Sequence, residues 1–490
     1  MKLLFLLLFI LASCLSRGQD GYDLRFQIAD LKDTTVYLGY YYGESTFRRD
    51  TAKTDKEGHF RFSKPKRLER GVYFLILNRS EKVQVKLFEP GFLVSQDQHF
   101  SLVTSGPDYI RNMKVAGDED NRLFFMNMIY NAERHKEAEP YVKVLGDSTL
   151  NEDQKKDARI AYNIIDKKVQ EYQDAVIVKS PLSLTAKLLR VNRRIDVPPP
   201  PKNADGTIDS TWQYRYYRKH FFDNFDLTDD ALIRLPTPLY QQKLEEYLDK
   251  LVLQAPDSLM AAIDELALRV KANKETYKYL VYNCVYKYQR PGIMGLDEVF
   301  VRLVDKYFVT GEMDYWATAA MKKSLKDHAN KLRNSLVGKT GANLIMQDQY
   351  FQRQELYNIR NKYSVIFFFD PDCGHCKEES PKLVSFYNSS KSKFNLEIFA
   401  VSLDTSMLKM RNYIKEMKFT WTTVNGPRSY SGSLHDHYYA ETTPMVYILD
   451  QKRKIIAKGL SVERLEDFLT NYEQFELRRS ASAKTKGGQD

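Results

Sequence analysis

Tyr363-Ser-Val-Ile-Phe-Phe-Phe369, followed at once by Asp370-Pro-Asp-Cys-Gly-His-Cys376, is the stretch on which the reading of this chain turns. A near-continuous apolar run of this length suits a strand covered on both faces. The segment opening at Cys373 reads as a helix. Two thiols two residues apart at a strand-to-helix junction can form and break a disulfide with little backbone movement. A helix beginning at Cys373 turns its unpaired N–H groups toward that sulfur and favours the thiolate. The 490 residues contain only four cysteines, and two of them stand here.

Working outward, further strand-like runs cover 396–403, 421–424, 445–449 and 454–457. Residues 342–474 read as strand, helix, strand, helix, strand, helix, two strands, helix, a pattern for a mostly parallel sheet between helices. The helix over 406–417 carries Met407, Met410, Ile414 and Met417 at 3-4-3 spacing, which core packing explains. This unit is expected to span 337–477. The tail 478–490 lacks large apolar residues and is expected to be disordered.

Upstream, residues 20–112 alternate and turn repeatedly. Tyr22-Asp-Leu-Arg-Phe-Gln-Ile28, 35–42, Phe60-Arg-Phe62, 72–77 and 83–88 predict a small antiparallel β-sandwich. From about Asp118 the apolar period becomes helical, and 113–336 is expected to be all-α. Pro198-Pro-Pro-Pro201 interrupts it. Cys284 lies in an apolar helical stretch and is expected to be a buried thiol.

The net charge of +10 is small for this length, with both signs interleaved. No basic stripe or recognition motif appears, so nucleic acid is not an expected partner. At the N-terminus Lys2 precedes the apolar run 3–12, too short for a bilayer span of about 20 residues. The run ends in Leu11-Ala12-Ser13-Cys14. Two processings fit: a lipobox cleaved before Cys14, which would then carry lipid, and an ordinary signal peptide removed near residue 19. The first is preferred. Both export the chain to a compartment where disulfides persist, so a periplasmic or cell-envelope location with a lipid anchor is expected.

The Cys373–Cys376 pair has two competing readings, a passive disulfide and half of a zinc site. Zinc needs about four ligands, and no second CxxC or His pair stands at a matching spacing. His435 and His437 point apart if helical and read as a solvated face. No metal is expected.

Phe369-Asp-Pro-Asp-Cys-Gly-His-Cys376, Pro381 five residues beyond, and Thr443-Pro444 just before Met445-Val-Tyr-Ile-Leu449 together resemble the thioredoxin superfamily. The extra helix and strand before the proline resemble the insertion of exported, membrane-tethered thiol–disulfide oxidoreductases related to cytochrome c maturation proteins. The upstream segments resemble modules of unknown function that precede such domains in bacterial lipoproteins. The resemblance implies a multidomain chain ending in an α/β thioredoxin-like fold. It implies that Cys373 attacks a partner disulfide and Cys376 resolves the adduct. It also implies a cis Thr443-Pro444 bond facing the sulfurs and a Thr443 backbone free to pair with an extended peptide. Pro381 is expected to kink the active-site helix. His375 is expected to stabilise the thiolate, and Asp370 and Asp372 to oppose it.

Two positions depart from the family pattern. Asp372 replaces the usual Trp, and Phe367 replaces a buried acid, so a proton for Cys376 must come from water, Asp370 or Glu379. No cofactor is expected beyond the Cys373–Cys376 disulfide itself. Expected partners are protein thiols and disulfides, with an upstream electron donor or acceptor. A peroxidase reading is disfavoured by Asp370 and Ile366, where that chemistry calls for other residues. The rival from another class is a cell-envelope binding or scaffold protein with a vestigial redox domain.

Overall fold

A computed structural model describes residues 21–78, 84–202 and 205–486. The signal segment and Cys14 lie outside them. The chain divides into two compact units, residues up to 251 together with 266–280, and 252–265 together with the chain from 281 onward.

The first unit opens with two four-stranded sheets. One contains β1 (Tyr22–Ile28), β4 (His59–Lys64), β7 (His99–Thr104) and β8 (Lys114–Ala116) in the order β4-β1-β7-β8. The other contains β2 (Thr35–Tyr42), β3 (Ser45–Lys53), β5 (Gly71–Asn78) and β6 (Gln84–Val94) in the order β3-β2-β5-β6. Alternate residues such as Phe60 and Phe62, Phe100 and Leu102, and Val36 and Leu38 point inward to one core. Two details correct the sequence reading. β1 and β7 pair in parallel, because the chain crosses to the other sheet between them. β8 lies beyond the boundary expected at 112.

The all-α region follows: α1 (Glu119–Gly146), α2 (Glu152–Lys179), α3 (Leu184–Val191), α4 (Trp212–His220), α5 (Leu239–Lys250), α6 (Pro256–Val270), α7 (Lys274–Gln289), α8 (Asp297–Leu303) and α9 (Ala319–Arg333). Residues 193–200 have no regular structure, as the proline run dictates. Asp118 caps α1. Asn121, one turn in and fully buried, exchanges two hydrogen bonds with the Leu93 backbone of β6, at 2.8 and 2.7 Å. That bond pair ties the helix to the sandwich.

The second unit ends in a seven-stranded sheet. Its strands are β9 (Ile345–Asp348), β10 (Arg353–Glu355), β11 (Tyr363–Phe369), β12 (Leu396–Ser402), β13 (Thr422–Asn425), β16 (Met445–Leu449) and β17 (Ile455–Lys458), ordered β10-β9-β13-β12-β11-β16-β17. A two-residue pair, β14 (Arg428–Ser429) and β15 (Gly432–Ser433), lies outside it. β11, β12 and β13 are parallel, and β16 runs antiparallel to β11. Every residue of β11 is buried. Val365, Phe367 and Phe369 enter one apolar layer while Ile366 and Phe368 enter the other, so this strand belongs to both cores.

The helices here are α10 (Gly374–Phe394), α11 (Met407–Met417), α12 (Leu434–His437) and α13 (Leu465–Lys486). The β9–β10 hairpin was not anticipated, being short and polar. α13 runs on where a disordered tail was expected from 478. Arg, Ala and Lys are strong helix formers and can extend a helix without an apolar face. No helix among the described residues is long and apolar enough to cross a membrane.

Candidate functional site

Phe369 ends β11, and the next three residues form a turn. The Asp372 N–H donates to the Asp370 carboxylate at 2.8 Å, and the Cys373 N–H donates to the Asp370 carbonyl at 3.1 Å. The turn delivers Cys373, with extended backbone, to the N-cap of α10. Cys376 lies one turn inside and is fully buried, packed with Phe369, Leu383 and Met410. Both cysteines are thiols in this structure.

Antiparallel pairing of β11 with β16 sets Met445 opposite Phe368. The loop before β16 therefore arrives beside the first turn of α10. The Thr443-Pro444 bond is cis, and the Cys373 thiol donates to the Thr443 carbonyl at 3.4 Å.

The two thiols are driven apart in acidity. Partial burial raises Cys373, but the Thr443 hydroxyl, the Cys376 N–H and thiol, and the His375 N–H all favour its thiolate. The balance falls below an ordinary thiol. Burial pushes Cys376 up to about 12, aided by its bond to Cys373 and opposed by the Asp370 N–H. One sulfur is therefore poised to ionise and reachable, while its partner is held protonated and shielded.

The expected modulators act differently from the sequence reading. His375 contributes through its backbone N–H. Its ring is exposed, 3.5 Å from Glu378. Asp372 does not stand as a bare charge beside Cys373. Lys409 of α11 bonds its carboxylate at 2.6 Å and that of Asp404 at 2.9 Å. Asp370, Asp372 and Asp404 converge there, with Lys409 supplying the compensating charge. Glu379 accepts from Lys382 and from the Val462 N–H, and among the described residues no hydrogen bond joins it to Cys376.

Pro381 sits inside α10, and its neighbour Ser380 is buried and bonded to the Tyr413 hydroxyl at 2.8 Å. His437 contacts Ser431 and His435 lies near Glu441, so the two histidines do not converge. Cys284 is buried in α7. Sequence reasoning missed Lys409 and the Ser380–Tyr413 pair, since neither belongs to a motif.

Comparison with known proteins agrees with this geometry at the level of the domain. Residues 361–455 match the family described as Thioredoxin-like, and residues 206–330 match the Domain of unknown function (DUF5106). No curated protein matches the chain. Among solved structures, a domain of a possible thiol-disulfide isomerase from Cytophaga hutchinsonii shares 31% identity, covering 29% of this chain and 97% of that one, with a TM-score of 0.28. The thioredoxin domain of a thiol-disulfide oxidoreductase from Bacteroides vulgatus shares 25%, over 28% and 96%, with a TM-score of 0.25. A thioredoxin-like protein from Bacteroides caccae shares 16%, over 56% and 99%, with a TM-score of 0.44. The chain is thus multidomain, with a β-sheet region, a helical region and, at its C-terminal end, a domain of the thioredoxin-like family.

Proposed function

We propose that this chain is a thiol–disulfide oxidoreductase acting on exported proteins, of the membrane-tethered, cytochrome c maturation-like type. The observation that carries the reading is the split between Cys373, exposed enough to react and lowered in pKa, and Cys376, buried and raised to about 12. The Cys373 thiolate attacks one sulfur of a partner disulfide, forming a mixed disulfide and releasing the other sulfur as a thiol. Cys376 gives up its proton and attacks the Cys373 sulfur. The partner leaves as its second thiol, and Cys373–Cys376 remains as a disulfide. A reduced dithiol protein must return two electrons to restore it. In the opposite direction the same steps oxidise a partner dithiol. Pro444 and the Thr443 backbone hold the substrate strand beside the sulfurs. Lipid attachment at Cys14 would keep the domain at the cell envelope.

Trapping tests the reading. Cys376→Ser should accumulate mixed disulfides with a peptide disulfide, and Cys373→Ser should form none. Adducts in neither variant, or equally in both, would favour the binding-protein alternative.

A further inference from the structure

Two adjoining cavities in the second unit, about 780 and 670 Å³, share Gln289, Arg290, Tyr439 and Thr442. They form a groove along the loop that ends in the cis Thr443-Pro444 bond. One wall is the segment after α7 and the exposed side of α9, which lie outside the thioredoxin-like match. The other is the 439–445 loop with Gly459, Leu460 and Arg464.

The wall is fixed in place. Buried Asp297 pairs with Lys458 of β17, and the Met294 sulfur accepts from the Lys458 N–H at 3.2 Å. Tyr439 stacks on His328 of α9 with ring centres 5.6 Å apart.

The charges lining the groove are unequal. Five cationic and three anionic side chains line it, leaving two net positive charges. Of the anions, Asp297 is neutralised by Lys458 and Glu441 by Lys331, which leaves only Asp327. Arg290, Lys323 and Arg464 are exposed and make no ion pair among the described residues. Between them, exposed Ile293 and Met294 add apolar surface beside the half-buried Met445. The Thr442 and Thr443 N–H groups donate to no partner among the described residues, so an extended backbone can pair at the end of the groove nearest Cys373.

We infer that this groove selects the substrate: an extended polypeptide segment carrying Asp or Glu near its cysteine, read by Arg290, Lys323 and Arg464. The inference rests on the redox reading above and adds the substrate class. The segment after α7 thereby acquires a specificity role.

The test is binding by the full chain of fluorescent peptides in which serine replaces the cysteine, flanked by Glu or by Lys. Binding of these peptides involves no sulfur chemistry, so it is judged apart from the trapping experiment. The acidic peptide should bind about tenfold more tightly, with the preference shrinking as salt is raised. The triple variant R290E/K323E/R464E should abolish or invert it. If the triple variant melts at a lower temperature than the parent, Arg290→Glu alone should reduce the preference about threefold. Equal binding of the two peptides, no binding of either at millimolar concentration, or an acidic preference untouched by these substitutions would overturn the inference.

Discussion

Cys373 owes its acidity to few groups, and most of them are backbone or neighbouring donors. That Cys373, Cys376 and the Thr443-Pro444 bond would meet was legible in the sequence, the cysteines through their spacing and Pro444 through the family resemblance. Their electrostatics were not. Lys409 lies 37 positions beyond Asp372 and meets it only once α11 has packed beside the turn. It follows that Lys409→Ala should uncover Asp372 and Asp404 and raise the Cys373 pKa. Since a raised pKa lowers the thiolate fraction at neutral pH, alkylation of Cys373 at pH 7 should slow by about two- to fivefold, the scale of an exposed charge pair. Stopped-flow alkylation of the variant measures this. An unchanged rate would mean that the carboxylates do not reach the sulfur.

At the scale of elements, the strands and helices with a strong apolar period were legible and those without were not. β11, with seven buried residues in seven positions, could hardly be read otherwise. β9 and β10 contain Gln347, Asp348, Arg353, Gln354 and Glu355, and β9 is held by the edge of β13 and by the buried Met346. The polar link between α1 and β6 was equally silent in the sequence, since one buried asparagine makes it beside the apolar contact of Phe125. Asn121→Ala should leave the Leu93 N–H and carbonyl buried without partners and cost about 3 kcal/mol. Thermal unfolding of the purified variant measures the loss. Stability equal to that of the parent would show that the bond pair contributes little net.

For the molecule as a whole, the sequence placed the redox chemistry in one domain and left the rest without a role. The reason is physical. A dithiol announces itself by spacing, whereas a groove lined by Arg290, Lys323 and Arg464 draws on cations spread over more than 170 positions that no pattern joins. The upstream sandwich and helices were legible as architecture through their periodicity, and their chemistry was not. The proposed function rests on the unequal acidity of two sulfurs.

The most direct test is the rate of alkylation of each cysteine against pH in the reduced full chain, resolved by mass spectrometry. Cys373 should react with a midpoint below that of an ordinary cysteine, and Cys376 should stay silent until far above it. Two sulfurs reacting together at an ordinary thiol midpoint, or a Cys373 that does not react at all, would contradict the account.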